Sequence, residues 1–348
     1  MIVSSFCIVV FWGLFLFLPR ESQTNTIPKK FFKMLTRRHI RVKVMQCIYA
    51  ITQSKDDSLE KQEKFLRFSI DNMYTLYLLM LSLIIEIQKR GSDQLRISSK
   101  KYLATEADNL PDQAKFVNNK LLLQMVHNEP LIAELKKRKL DNWYLNEEYV
   151  KIIYKNMVTS EAYLKYMSVK GSTYAEDKEF VITLFKDIIA PDEKIYDYFE
   201  DSNLTWVDDI PIVNTYILKM FKKIKSDQST SFFLPRLIKD KEDMEFAKNL
   251  LRKTLLKDGE LTKEIEGKTP NWDKDRIADM DAILLKMAIC ELLNFPSIPE
   301  KVTINEFLEI AKEYSTPKSS IFINGILDNL VKEYKKEGKL NKIGRGLI

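Results

Sequence analysis

Four cations lie close together near the start of the chain, Arg37, Arg38, Arg41 and Lys43, with no carboxylate between residues 34 and 50. An arginine fork pairs a phosphate through parallel N–H donors. A nearby aromatic ring then gives an unstacked base a face to lie on, the usual chemistry of single-strand recognition. Arg38 and Tyr49 are eleven residues apart, which on a helix of 3.6 residues per turn places them within about 20° on one face. Cations in a first helical turn oppose the helix dipole, so three arginines there need a reason other than helix stability. Contact with a polyanion supplies one.

The element that must carry them reads as a helix. Thr36 can cap it, and Ile40, Val44, Cys47, Ile48 and Ile51 form one apolar stripe with Arg37, Arg38 and Arg41 off that stripe. From Met34 onward glycine is scarce, Leu/Ile/Lys/Glu-rich periodic stretches dominate and sustained alternation is absent, so the fold class is all-α. A second helix is expected near 58–90, bounded by Gly91-Ser92-Asp93. Its apolar stretch from Leu76 to Ile87 is of core length rather than of spanning length. Trp143, Trp206 and Trp272 recur at similar spacing with similar flanking text, which suggests stacked helical pairs with the tryptophans as core anchors. Near the end, Thr303-Ile-Asn-Glu306 has capping-box spacing, and Thr316-Pro317 reads as a cap with proline opening a last helix. Asp273, Asp275, Asp279 and Asp281 read as helix N-terminal charges, because a calcium loop would need a glycine at its turn.

Composition excludes much. Only 9 glycines occur, and neither G-x-G-x-x-G nor G-x-x-x-x-G-K-[ST] is present, which argues against dinucleotide, ATP and methyl-donor chemistry. Cys7, Cys47 and Cys290 are odd in number and far apart, as expected of reduced thiols in a cytoplasmic protein, and with only two histidines no zinc spacing can be assembled. No cofactor and no metal is expected. The net charge of +6 is unevenly spread: residues 1–33 carry +3, 34–50 carry +4, 332–348 carry +4 and 51–331 sum to −5. Localised patches of this kind suit a polyanion better than a uniformly basic surface does.

Two separated stretches resemble the NusB family of transcription antitermination factors. The first is Arg37-Arg-His-Ile-Arg41 with Val44-Met-Gln46 and Ile48-Tyr49. The second runs from Trp272 through Asp281, Glu291-Leu292, Pro299, Ile304-Asn-Glu306 and Ala311-Lys312 to Phe322-Ile-Asn-Gly-Ile-Leu-Asp328. The resemblance covers roughly 34–55 and 236–335, and family members are much shorter than this chain. It implies a two-subdomain helical bundle without catalysis that binds boxA-type single-stranded leader RNA with ribosomal protein S10 in the elongation complex of RNA polymerase, supporting ribosomal RNA operon transcription in the cytoplasm. Position by position it assigns RNA contact to Arg37, Arg38, Arg41, Gln46, Tyr49, Phe322 and Asn324. His39 stands where the family often has another arginine, and Lys43, one turn on, is the expected substitute. Phe322 also has a core reading, and Asn324-Gly325 a reading as a close helix contact.

The expected organisation is therefore an N-terminal extension (1–33), a first core part (34–72), an inserted helical region with possible repeats (73–235), a C-terminal core (236–335) and a basic, disordered tail (336–348). Ile2–Leu18 is apolar and is followed by cations, so a membrane-tethered scaffold is an alternative. The resemblance instead puts the start at Met34 and removes the membrane. The enzyme alternative is a non-catalytic relative of an RNA methyltransferase, since one cytosine-methyltransferase family carries a domain of this fold.

Overall fold

The computed structural model describes residues 34–54, 58–101, 114–238, 241–266, 268 and 278–343, with the side chains of 98–101 left aside. The N-terminal extension, Cys7, Trp272, Asp273, Asp275 and residues 344–348 lie outside the described residues. Among the described residues are fifteen α-helices and no strand. The chain divides into two compact units, one holding residues 72–236 and the other 35–71 with 237–348.

The second unit is built on α1 (Arg37–Ser54), the first turns of α2 (Leu59–Lys101), and five later helices. These are α11 (Lys241–Leu256), α12 (Asp258–Glu266), α13 (Asp279–Asn294), α14 (Glu300–Tyr314) and α15 (Ser319–Lys336). Helix α13 is its centre and packs on α1, α11, α12, α14 and α15. Its Ile283, Leu284, Leu285, Met287, Ala288, Ile289 and Leu292 are all buried, as expected of a helix apolar on nearly every side. Asp279 and Asp281 occupy its first turn, where carboxylates complement the dipole. Asp281 is buried there and accepts hydrogen bonds from Ser315 and Ser319 at 2.5 and 2.8 Å.

Two expected caps are not caps. Helix α14 starts at Glu300 after Pro299, so Thr303 and Glu306 lie inside it. Thr303 instead donates to Glu291 at 2.8 Å, and Glu306 accepts from Arg38. Helix α15 starts at Ser319, and Thr316 and Pro317 belong to the turn before it. Helix α15 ends in a Schellman motif at Gly338 (φ +66°), with the Lys339 N–H donating to the Tyr334 carbonyl at 2.9 Å. The described part of the tail is pinned, contrary to the expectation of disorder: Ile343 N–H donates to the Pro296 carbonyl at 2.9 Å, and Lys342 Nζ to the Phe295 carbonyl at 3.0 Å.

The first unit contains the rest of α2 together with α3 (Lys120–Val126), α4 (Glu129–Lys137), α5 (Asn142–Leu145), α6 (Glu147–Val158), α7 (Glu161–Met167), α8 (Tyr174–Leu184), α9 (Glu193–Ser202) and α10 (Asp209–Lys223). Helix α2 runs through Gly91 instead of stopping there. The glycine serves close approach: a Cβ at residue 91 would lie 2.7 Å from the Phe116 ring. The stretch Leu59–Ile97 is long and apolar enough to cross a membrane, but 78% of its most apolar window is buried inside the protein. Trp143 and Trp206 are both core anchors along α2: their indole N–H groups donate to the carbonyls of Leu79 (3.0 Å) and Asn72 (2.9 Å). Those acceptors are seven residues apart, two turns of one helix face. Phe199 stands between the indoles, edge-on to each at 5.9 and 5.6 Å.

Candidate nucleic-acid interface

Helix α1 is buried almost all round between Ile40 and Met45, because α11, α13 and α14 pack against it. Thr36 caps it in a reciprocal arrangement with His39: the His39 N–H donates to Thr36 Oγ1 at 3.4 Å, and the Thr36 N–H to His39 Nδ1 at 3.3 Å. His39 thus fills the place a Glu or Gln takes in a capping box.

The arginines divide into two groups. Arg41 is 2% exposed and makes a bidentate pair with buried Glu291 at 2.8 and 2.7 Å. Its guanidinium also lies 5.2 Å from the Phe246 ring centroid and 5.9 Å from that of Phe307. Thr303 donates to a Glu291 oxygen as well, so the buried carboxylate is well supplied with donors, as a charge removed from water requires. The reading of Arg41 as an RNA contact is therefore corrected: its apolar surroundings and its carboxylate partner make it the pin that joins α1 to α13. Lys43 is also only 2% exposed, which places it in the interior and not where it could replace a missing surface arginine.

Arg38 and Arg37 remain at the surface. Arg38, 36% exposed, donates from Nε and Nη2 to Glu306 at 3.0 and 3.1 Å, and its Nη1 stands 4.0 Å from Glu309. The hydrogen bond to Glu306 is the largest cause holding its guanidinium above its ordinary pKa, with the charges of Glu306, Glu309 and Glu313 adding to it against the opposing effect of burial. Arg37, 39% exposed, donates to buried Asp243 at 3.1 Å and lies 5.3 Å over the Phe246 ring. Each surface guanidinium is thus oriented by a carboxylate before any ligand arrives.

Tyr49, at 40% exposure, is open on α1, and Gln46 is half-buried. Phe322 and Asn324 stand on α15, which packs chiefly on α13 and α14. Both are half-buried, and Asn324 Nδ2 donates to Asp328 at 3.3 Å. Gly325 is exposed, and a Cβ there would meet nothing within 4 Å, so the reading of Asn324-Gly325 as a close helix contact is also corrected. The residues that sequence reasoning missed are the acidic partners Asp243 and Glu291 and the aromatic support Phe246. Glu306 was seen, but as a cap. Four basic residues without a local carboxylate, inside a largely apolar helix, are the signal that acids elsewhere in the chain must answer some of them.

A model of the NusB family matches residues 215–332, a span that begins within α10, ends within α15 and leaves α1 outside. The transcription antitermination protein NusB of Salinibacter ruber is 46% identical over 112 residues, covering 32% of this chain and 70% of the relative. The protein of that name from Chloroherpeton thalassium is 38% identical over 128 residues (36% of this chain, 61% of the relative). The one from Finegoldia magna is 42% identical over 93 residues (27% and 68%). No solved structure matches the chain significantly.

Proposed function

Since this chain belongs to the NusB family, we propose that it is a cytoplasmic transcription antitermination factor that acts by binding and not by catalysis. Its ligand is boxA-type single-stranded leader RNA, held together with ribosomal protein S10 in the transcription elongation complex, in support of ribosomal RNA operon transcription. The observation that carries this reading is the pairing on one helix of an oriented, partly exposed guanidinium, Arg38, with the exposed ring of Tyr49. The guanidinium supplies a phosphate contact and the ring a stacking face. Arg37, Gln46, Phe322 and Asn324 extend the contact surface. The open space above Gly325 supports this, because a helical glycine costs stability relative to alanine and close approach of a ligand backbone is a reason to keep one. We read residues 73–235 as an insertion in a small antitermination core, with the family match reaching back into its last α-helix from residue 215.

The test is fluorescence anisotropy with a labelled boxA leader and a scrambled control, each with and without S10. The leader is expected to bind more tightly than the control and more tightly still with S10. Equal binding of the two RNAs in the presence of S10 overturns the assignment.

A further inference from the structure

Beside Arg37 a groove of about 370 Å³ opens between α11 and the turn that follows α13, a size at the small end for ligand pockets. Its floor is aromatic: Phe246 and Phe295 meet edge to face, with centroids 5.4 Å apart and planes at 77°. The Arg37 guanidinium lies on the Phe246 ring at 5.3 Å, with its Nε held by Asp243 at 3.1 Å. The planar cation is thus held over an aromatic ring, tied at Nε by a buried carboxylate, and still partly exposed.

The rim decides what such a plane is for. Arg37 and Lys241 are balanced by Glu242 and Glu245, and Asn249 and Ser297 add neutral polar atoms. A pocket for phosphate alone would carry an excess of cations, whereas this lining is formally neutral. Flat heterocycles stack on guanidinium planes as they do on aromatic rings. Carboxylates accept hydrogen bonds from the exocyclic amino groups of bases.

We propose that this groove seats one unstacked, amino-bearing base of the RNA strand. The base lies on the outer face of the Arg37 guanidinium, with Glu242 or Glu245 accepting from its amino group and Asp243 acting as a positioning residue that fixes the plane. This rests on the RNA-binding reading above and adds a base-recognition site to it.

The test uses the full chain and the labelled boxA leader, with folding of each variant checked by circular dichroism. Arg37→Lys keeps the charge and removes the plane, and Ser297→Trp fills the groove from its exposed rim. Each is expected to weaken binding by roughly tenfold, the loss of about one stacked base, with the salt dependence unchanged. Replacing successive nucleotides by abasic sites should reveal one amino-bearing position whose removal weakens the wild type but not Ser297→Trp. If both variants bind like the wild type while Arg38→Ala binds weakly, the groove proposal is overturned and the RNA-binding reading stands. If the wild type does not prefer the leader over a scrambled strand even with S10 present, the RNA-binding reading fails and takes the groove proposal with it.

Discussion

Truncating Arg41 to alanine leaves Glu291 charged, buried and without its two guanidinium donors. Breaking a buried pair in this way costs about 3–5 kcal/mol. Thermal melting of Arg41→Ala should therefore show a large loss of stability, and the double change Arg41→Met with Glu291→Leu should recover much of it. Arg38→Ala removes a half-exposed pair and should change stability by no more than about 1 kcal/mol. Two arginines three residues apart thus separate into one that is buried and holds the fold and one that stays partly exposed. Helical phase carries part of this, since Arg41 stands three residues before Val44 and seven before Ile48, at the edge of the aliphatic stripe, whereas Arg38 lies on nearly the opposite side. The acids of α13 and α14 complete the distinction. The thiols offer a second check at this scale. Burial pushes Cys47 up to about 12 and Cys290 up to about 11, so neither forms appreciable thiolate at neutral pH. In an alkylation time course at pH 7.5, both should stay protected until denaturant is added. Rapid native labelling of either would contradict their placement in the core.

Helices were legible in the chain because their apolar periodicity is strong, but their ends were not. The pattern Thr-x-x-Glu occurs at 173–176 and at 303–306. The first is a working capping box, with the Thr173 N–H donating to Glu176 at 2.7 Å. The second lies within α14, where its hydroxyl and carboxylate serve Glu291 and the arginines of α1. A local pattern cannot reveal that a distant partner has a stronger claim on its polar atoms. Glycine shows the same limit. Gly91→Ala should destabilise by about 1–3 kcal/mol through overpacking on Phe116, although alanine is the better helix former by about 1 kcal/mol. Phe116 cannot give way easily, since Tyr154, Tyr163 and Phe180 crowd it edge-on. Gly325→Ala should instead stabilise by about 0.5–1 kcal/mol, because its side chain meets nothing. Paired melting curves of the two variants check the opposite signs.

Over the whole molecule, a net charge of +6 says little, yet residues 34–50 carry four cations and no acid. Two of those cations, Arg41 and Lys43, are buried, so the outward charge of α1 rests on Arg37 and Arg38 and is tempered by Asp243 and Glu306. Affinity for RNA should accordingly come from a few oriented contacts and not from a broad basic field. The most direct measurement is the salt dependence of boxA leader binding by the wild type and by Arg38→Ala. For a single strand, log K falls with log salt by about 0.7 per phosphate contact. If the Arg38 guanidinium is a phosphate contact, Arg38→Ala binds more weakly and its slope is shallower by about 0.7. Equal affinities and equal slopes for the two proteins would contradict the account.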